Sequence, residues 1–239
     1  EATAERLRAH GVAAVAANAI VDLFARAPQI DARAAVDGFE PLLVLLPGSR
    51  ESAYADARRL VEIAARLQAN VPNLGAVLSV APGMDARRFA DVLRSDGWTI
   101  QSGSERVPFS ASRGGRVLVR AWSGPLAAPL RVATLALGQA GTANEEAAAA
   151  GVPVVALERR AGTRSSWYRH RQRRLLGDAL VVLPDDPELA RAGIEELLRD
   201  PERRERMGQV GKHRMGPAGG ARAIAQRIVE LFADERCAK

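Results

Sequence analysis

Cysteine is almost absent: the single thiol, Cys237, lies two residues from the end of the 239-residue chain. One cysteine can make neither an internal disulfide nor a cysteine-based zinc site. The three histidines, His10, His170 and His213, are scattered without metal-ligand spacing, so no metal is expected. Long apolar runs are missing too, and none approaches the roughly 18 residues that span a bilayer. The first ten residues, EATAERLRAH, are charged and helical in character and do not read as a signal peptide. Lysine is nearly absent, with only Lys212 and Lys239, so 32 of the 34 basic residues are arginine. Against 28 acids this gives +6. Beside so much alanine, the arginine count partly reflects a genome that favours Arg and Ala codons, and the charge alone says little about partners. Its sign still suits phosphate ligands or an anionic membrane surface, because arginine's planar fork matches phosphate oxygens. Interleaved aromatics and any nucleic-acid reading module are lacking, so no nucleic-acid partner is expected. Also missing are a Ser-His-Asp order, a G-x-S-x-G elbow, a Walker lysine and a paired-carboxylate signature. No complete catalytic apparatus is legible, and no cofactor is implied.

What is present belongs to a globular chain: 47% hydrophobic and 26% charged residues exclude wholesale disorder. The chain opens without Met, in what reads as the middle of a longer sequence. Apolar runs predict strands at Leu42–Leu46, Gly75–Val80, Trp98–Gln101, Val117–Arg120, Ala133–Leu137, Val152–Leu157 and Ala179–Leu183. Helix-period stretches fall between them. In Ser52–Leu67, for example, Ala53, Ala57, Leu60, Ala64 and Leu67 form one apolar face. Further helices are expected at Ala86–Ser95, Leu126–Val132, Ala143–Ala150, Trp167–Leu176, Pro187–Arg199, Glu202–Met215 and Gly219–Phe232. The polar, Gly-rich stretch Gln101–Arg116 reads as a loop or a frayed insertion. Alternation of this kind means βαβ units, and continuous runs such as LLVLL and VPVVAL mean a parallel sheet covered on both faces. The expected fold class is α/β, a Rossmann-like doubly wound parallel sheet. Residues 1–40 read as a leader and linker, 41–215 as the sheet domain, and 216–239 as a C-terminal helix.

In such sheets ligands bind beyond the strands' carboxyl ends, where helix N-termini present free N–H groups. Two turns are built for this. Pro47-Gly48-Ser49-Arg50 follows LLVLL: Gly48 lets backbone approach an anion, Ser49 can donate or cap, and Arg50 can pair with phosphate. A tight turn with a Ser cap and a solvated Arg is the alternative. The second turn, Gly138–Glu146, follows ATLAL. Here Thr142 and Glu145 have the spacing of a capping box. That leaves Glu146 without a structural task, either complementing the helix dipole or accepting from a pair of hydroxyls such as a ribose diol. A third feature, Glu158–Arg174, carries seven arginines with no acid after Glu158. It suits a diphosphate or an acidic lipid surface, with Trp167 and Tyr168 at the interface, or else a solvated helix face.

Together, LLVLLPGSRESA (Leu42–Ala53), GTANEEAAAAGVPVVAL (Gly141–Leu157) and RQRRLLGDA (Arg171–Ala179) resemble the C-terminal, donor-binding half of a GT-B glycosyltransferase. The likeness is to lipid-A-disaccharide synthase and its uncharacterised relatives. A weaker echo, ANAIVD (Ala17–Asp22), is similar to that family's Gly-(Asn/His)-Pro-x-x-Asp junction, with Ala17 and Ala19 replacing Gly and Pro. The resemblance implies a UDP-sugar donor. Gly48, Ser49 and Arg50 would meet its diphosphate, together with the turn Gly141-Thr142-Ala143. Glu146 would hold the ribose hydroxyls. The segment from Trp122 through Ser123 to Leu126 would lie along uracil and ribose, with Ser123 contributing backbone, and Gln172 would contact the donor sugar. The family's usual Ser before Gly-Thr-Ala is Ala140 here. The resemblance also implies a lipid acceptor, and a cytoplasmic protein peripheral at the inner membrane. Catalytic residues would sit in a missing N-terminal half, toward which the last helix would pack, so the isolated half would bind donor without turnover. An epimerase acting on UDP-GlcNAc is a neighbouring reading, although that family's Thr-Glu-Arg-Pro run after Leu157 is absent and Gly162-Thr163-Arg164 stands there. A non-catalytic sugar-nucleotide-binding module and a basic surface-binding protein are readings of other classes.

Overall fold

The structure, a computed structural model, describes residues 2–14, 17–158 and 164–237. The eight strands are β1 (Leu42–Leu46), β2 (Gly75–Ser79), β3 (Thr99–Ser102), β4 (Phe109–Arg113), β5 (Arg116–Trp122), β6 (Leu135–Gly138), β7 (Val154–Leu157) and β8 (Leu180–Leu183). The helices preceding β1 are α1 (Ala2–Ala9), α2 (Ile20–Ala25) and α3 (Arg33–Val36). Then come α4 (Ala53–Asn70), α5 (Ala86–Ser95), α6 (Ala127–Leu130), α7 (Thr142–Ala150) and α8 (Arg164–Leu176). A 3-10 turn at Gly177–Ala179 leads into β8, and α9 (Pro187–Arg199), α10 (Pro201–Met215) and α11 (Gly220–Cys237) follow.

One sheet holds all the strands in the order β3-β4-β5-β2-β1-β6-β7-β8. From β5 through β8 every pairing is parallel. Because successive strand residues face opposite sides, LLVLL supplies both layers. Leu43 and Leu45 join a core with α4, α5 and α9, and Val44 and Leu46 join one with α2 and α7. The direction of winding reverses between β1 and β6. From β1 the chain winds out through α4 to β2 on one side, and it later returns to pair β6 on the other. This is the topological switch point at which open α/β sheets form their ligand crevice.

The stretch expected to be a loop contains a strand. Phe109 and Ala111 are buried while Ser110 and Ser112 are only half-buried, the alternation of a strand covered on one face. The Gly-Gly pair is its turn. Gly114 and Gly115 have φ of 60° and 78°, the geometry of a two-residue hairpin. Strands β3 and β4 therefore add an antiparallel edge to the sheet.

Parts of the expected leader pack on the sheet domain. Ala35 of α3 is fully buried in a cluster with Leu42, Val77 and Trp122, and Val21 of α2 joins the α7 core. Asn18 donates to the Met215 carbonyl (3.0 Å). Asp22 accepts from the amides of Gly219 (2.6 Å) and Ala221 (2.8 Å) at the start of α11. Those amides, Ala221 first and then Gly219, with Arg26 nearby, hold the Asp22 carboxyl below the usual carboxylate range. Among the described residues no helix is long and apolar enough to cross a membrane.

Two predictions follow from this packing. Helix α10 crosses α7 so closely that a Cβ on Gly211 would overlap the Ala148 carbonyl. Gly211→Ala should therefore lower stability by about 1–3 kcal/mol through overpacking. An open helix position would instead gain up to about 1 kcal/mol from the same change, so the sign of the shift in urea midpoint is decisive. For Asp22 the folded carboxyl titrates below its ordinary value near 3.8. Its contribution is thus present above that value and lost as pH falls through the folded one. The stability difference between wild type and Asp22→Asn should be larger at neutral pH and shrink toward pH ~3. A difference that does not change with pH would exclude the charge as its source.

Candidate functional site

The two expected anion turns meet at the switch point. The amides of Gln139 and Ala140, just after β6, both donate to the Leu46 carbonyl at the end of β1 (2.9 and 3.1 Å). Gly48 takes φ of 113°, open to glycine and rarely to other residues, and its missing Cβ would face the Ala140 Cα at 3.9 Å. The amides of Gly48, Ser49 and Arg50 donate to no protein acceptor among the described residues. Ser49 and Arg50 are exposed. The acid beside Arg50 does not neutralise it: Glu51 is drawn away to Arg88 of α5, which also lies over the Tyr54 ring. Arg50 makes no ion pair or hydrogen bond among the described residues, leaving an uncommitted guanidinium on the turn.

The second turn corrects the capping-box reading. Helix α7 begins at Thr142 with Gly141 as its cap residue, and no side chain caps it. The Gly141 carbonyl accepts from the amides of both Asn144 (3.1 Å) and Glu145 (3.3 Å). The first turn therefore starts one residue earlier than Thr-x-x-Glu spacing implies, with the Thr142 side chain exposed inside it. The amides of Gly141, Thr142 and Ala143 have no protein acceptor among the described residues, a helix N-terminus open to an anion. Ala143 itself is half-buried against the α2–α7 core.

Helix α7 also carries two buried acids. Burial pushes the Glu145 carboxyl up, with Arg171 partly countering it, and pushes Glu146 up with nothing opposing. Glu146 is 9% exposed and has no hydrogen bond or ion pair among the described residues. A desolvated carboxylate is costly unless paired, and neither capping nor surface solvation explains this one.

Beside β5, the segment from Trp122 to Leu126 is shaped from within. The Trp122 indole is 1% exposed and donates to the Pro125 carbonyl (3.0 Å), while a Cβ on Gly124 would run into that ring. The Ser123 amide donates to the Arg106 carbonyl of the β3–β4 turn (2.9 Å). The Ser123 N–H is thereby used within the protein, so a backbone contact from Ser123 would fall to its carbonyl, which accepts from no backbone amide among the described residues. Its side chain is exposed. Leu126 is half-buried against the core that holds α7.

Gln172 also differs from expectation. It is 2% exposed and bonded at both ends of its amide. Its Nε2 donates to the carbonyls of Ala140 (3.3 Å) and Gly141 (3.2 Å), and its Oε1 accepts from Asn144 Nδ2 (3.2 Å) and from Arg169. No polar atom is left for a sugar. Arg169, 6% exposed, also donates to the Gln139 side chain. The seven-arginine run hid this network, because only the three-residue spacing of Arg169 and Gln172 separates a buried face from a solvated one. Arg171, Arg173 and Arg174 are exposed, with Glu158 3.7 Å from Arg173, and Trp167 is exposed as well. Residues 159–163 of the Arg-rich segment lie outside the described residues. Among the described residues no three His, Cys, Asp or Glu gather as a metal site.

No family model matches the chain, and no curated protein does. Solved structures match its backbone. A Listeria monocytogenes structure assigned as a UDP-N-acetylglucosamine 2-epimerase superposes with TM-score 0.60 at 17% identity, covering 91% of this chain and 53% of that one. The S. aureus MnaA–UDP co-structure gives TM-score 0.60 at 15% identity, covering 96% and 57%. The spinosyn rhamnosyltransferase SpnG gives 0.53 at 17%, covering 85% and 48%. The fold is therefore that of a Rossmann-like half of the GT-B kind. The chain spans about half the length of the structures it matches.

The burial of Glu146 has a consequence for stability. Its folded carboxyl titrates above the ordinary value near 4.5. The folded state thus loses stability as pH rises through the folded value, where the unfolded chain is already ionised. Glu146→Gln should raise the urea midpoint at pH 7, and the gain should vanish as pH falls to ~4. A destabilised variant at pH 7 would show that the carboxylate has a partner in the folded protein.

Proposed function

We propose that this chain supplies the donor site of a UDP-sugar-dependent GT-B glycosyltransferase, of lipid-A-disaccharide-synthase type. One observation carries the reading. At the switch point, an unneutralised arginine on a glycine turn and an uncapped helix N-terminus flank the same strand pair, and that helix holds a buried acid with no hydrogen bond or ion pair among the described residues. A nucleoside diphosphate has matching parts. Its diphosphate suits Arg50, the amides of Gly48 and Ser49, and the turn Gly141-Thr142-Ala143. Its ribose diol suits Glu146, which would then exchange an unpaired burial for two hydroxyl donors. Its base would lie along the turn from Ser123 to Leu126.

Sugar transfer breaks the bond between the anomeric carbon and the diphosphate oxygen, and negative charge grows on the leaving group. Donors fixed at that oxygen before reaction stabilise the charge without reorganisation, usually a large share of catalysis. The α7 N-terminus and Arg50 would do this here. The acceptor, a lipid-linked sugar on this reading, and the general base would come from outside this chain. Base and acceptor must lie within hydrogen-bond reach of each other at the anomeric carbon. The resemblance at Leu42–Ala53, Gly141–Leu157 and Arg171–Ala179 supports the lipid A branch. The exposed Trp167, Arg171, Arg173 and Arg174 of α8 support an anionic membrane partner. An epimerase acting on a UDP-sugar is the second reading. It is favoured by the higher TM-scores of the epimerase-assigned and MnaA–UDP structures, and it needs the same diphosphate site.

Calorimetric titration tests the site. UDP should bind, and Arg50→Ala should weaken it by about 1.5–3 kcal/mol while leaving uridine unchanged, since only UDP carries the charge that Arg50 meets. Glu146→Gln should weaken both ligands by about 1–3 kcal/mol, because both carry the ribose. Equal losses for UDP and uridine in Arg50→Ala, or no UDP binding at millimolar concentration by folded protein, would refute the reading.

A further inference from the structure

The turn before α7 is held from behind by one face of α8. We propose that Gln172 is a positioning residue which aims the anion-binding amides of this turn. Its Nε2 donates to two consecutive carbonyls, Ala140 at 3.3 Å and Gly141 at 3.2 Å. In a trans peptide the C=O and N–H of one unit point in opposite directions. Fixing the Ala140 carbonyl therefore fixes the Gly141 N–H, and fixing the Gly141 carbonyl fixes the Thr142 N–H. Both hydrogens are turned away from α8, and neither donates within the protein among the described residues. Successive N–H groups directed the same way form an anion-binding nest.

The orientation of Gln172 is itself over-determined. Its oxygen accepts from Asn144 and Arg169, so a flipped amide would set its nitrogen against two donors and its oxygen against two carbonyls. Tyr168, one turn earlier on α8, closes the same side, since a Cβ on Gly141 would overlap its hydroxyl. Asn144 fills the space beneath: it donates to Gly138 at 3.3 Å and leaves no room for a Cβ there. Two observations outside the turn point to an anionic ligand with a polar remainder. They are Arg50 on the adjoining loop and Glu146, nine-tenths buried, on α7 itself, neither of which has a hydrogen bond or ion pair among the described residues. Gln172 cannot touch that ligand, being buried with both ends of its amide engaged, so its effect must travel through the turn.

The ligand's identity as a nucleoside diphosphate rests on the donor-site reading, whereas the aiming of the amides does not. The test follows the Gly141 and Thr142 amide resonances of the full chain during titration with pyrophosphate. It also measures UDP and uridine affinities for wild type, Gln172→Met and Gln172→Glu. In wild type both amides should shift with pyrophosphate. Gln172→Met, which removes donor and acceptor at similar volume, should lose those shifts and bind UDP at least about tenfold more weakly, with uridine unchanged. Gln172→Glu keeps acceptors for Arg169 and Asn144, and so keeps the fold. It sets a carboxylate oxygen against the two carbonyls and should show the same UDP-selective loss. A folded variant that keeps the wild-type UDP-to-uridine ratio, or loses both ligands equally, would overturn the proposal. So would wild-type amides that ignore pyrophosphate. If those amides respond to pyrophosphate through Gln172 but UDP does not bind, the nucleotide reading fails and the positioning role stands.

Discussion

The Leu46 carbonyl, which accepts from the amides of both Gln139 and Ala140, is the constraint on which the rest of the site depends. It joins the ends of two strands that belong to different halves of the winding. The chain leaves each by its own turn, and the shared acceptor brings those turns together. Had the crossover from β1 gone to β6 directly, one helix would follow one strand and no crevice would open between them. A doubly wound order makes the crevice unavoidable. The sequence has only to furnish it, with Gly48 where backbone must pass close and Gly141 where the chain must turn into α7.

Helix α7 shows how the furnishing works. Ala147 to Ala149 are buried, and small side chains let α2 and α10 approach it closely, with Gly208 and Gly211 on the α10 side. That packing is a source of stability and also dries the helix. Any acid on it is then desolvated, which is why Glu145 and Glu146 titrate upward. Close packing and an upward-titrating carboxylate are one physical fact seen twice. Sites that await a ligand commonly hold such a group at some cost in stability.

Much of this was legible in the sequence where one physical signal dominated. Continuous apolar runs gave β1, β6 and β7, since strands buried on both faces have no polar positions to confuse the pattern. The helix expected at Pro187–Arg199 begins where it was placed, because Asp186 caps it from one residue before Pro187. Strand β4 was hidden because its buried face consists of only Phe109 and Ala111 between serines, too few residues for alternation to stand out from loop composition. The Thr142–Glu145 pattern misled because capping spacing describes a helix whose entry is free. Here the entry is set by Gln172 and the Leu46 carbonyl. Position 172 was singled out from the sequence, but its role was not legible, because a glutamine that contacts a ligand and one that orients a turn look identical in one dimension.

The charge pattern completes the argument. Arginine is so abundant that most of it must be either paired or solvated, and the surface pairs Arg58 with Asp96, Arg59 with Asp185 and Arg66 with Glu188. Pairs of this exposed kind contribute little to stability. Their consequence is local: each acid so engaged is withdrawn from competing for a neighbouring cation. The Arg88–Glu51 pair does this beside the glycine turn, and the acid next to Arg50 does not neutralise it. An anion site in an arginine-rich protein is therefore defined less by where arginines stand than by where the acids have been led away from them.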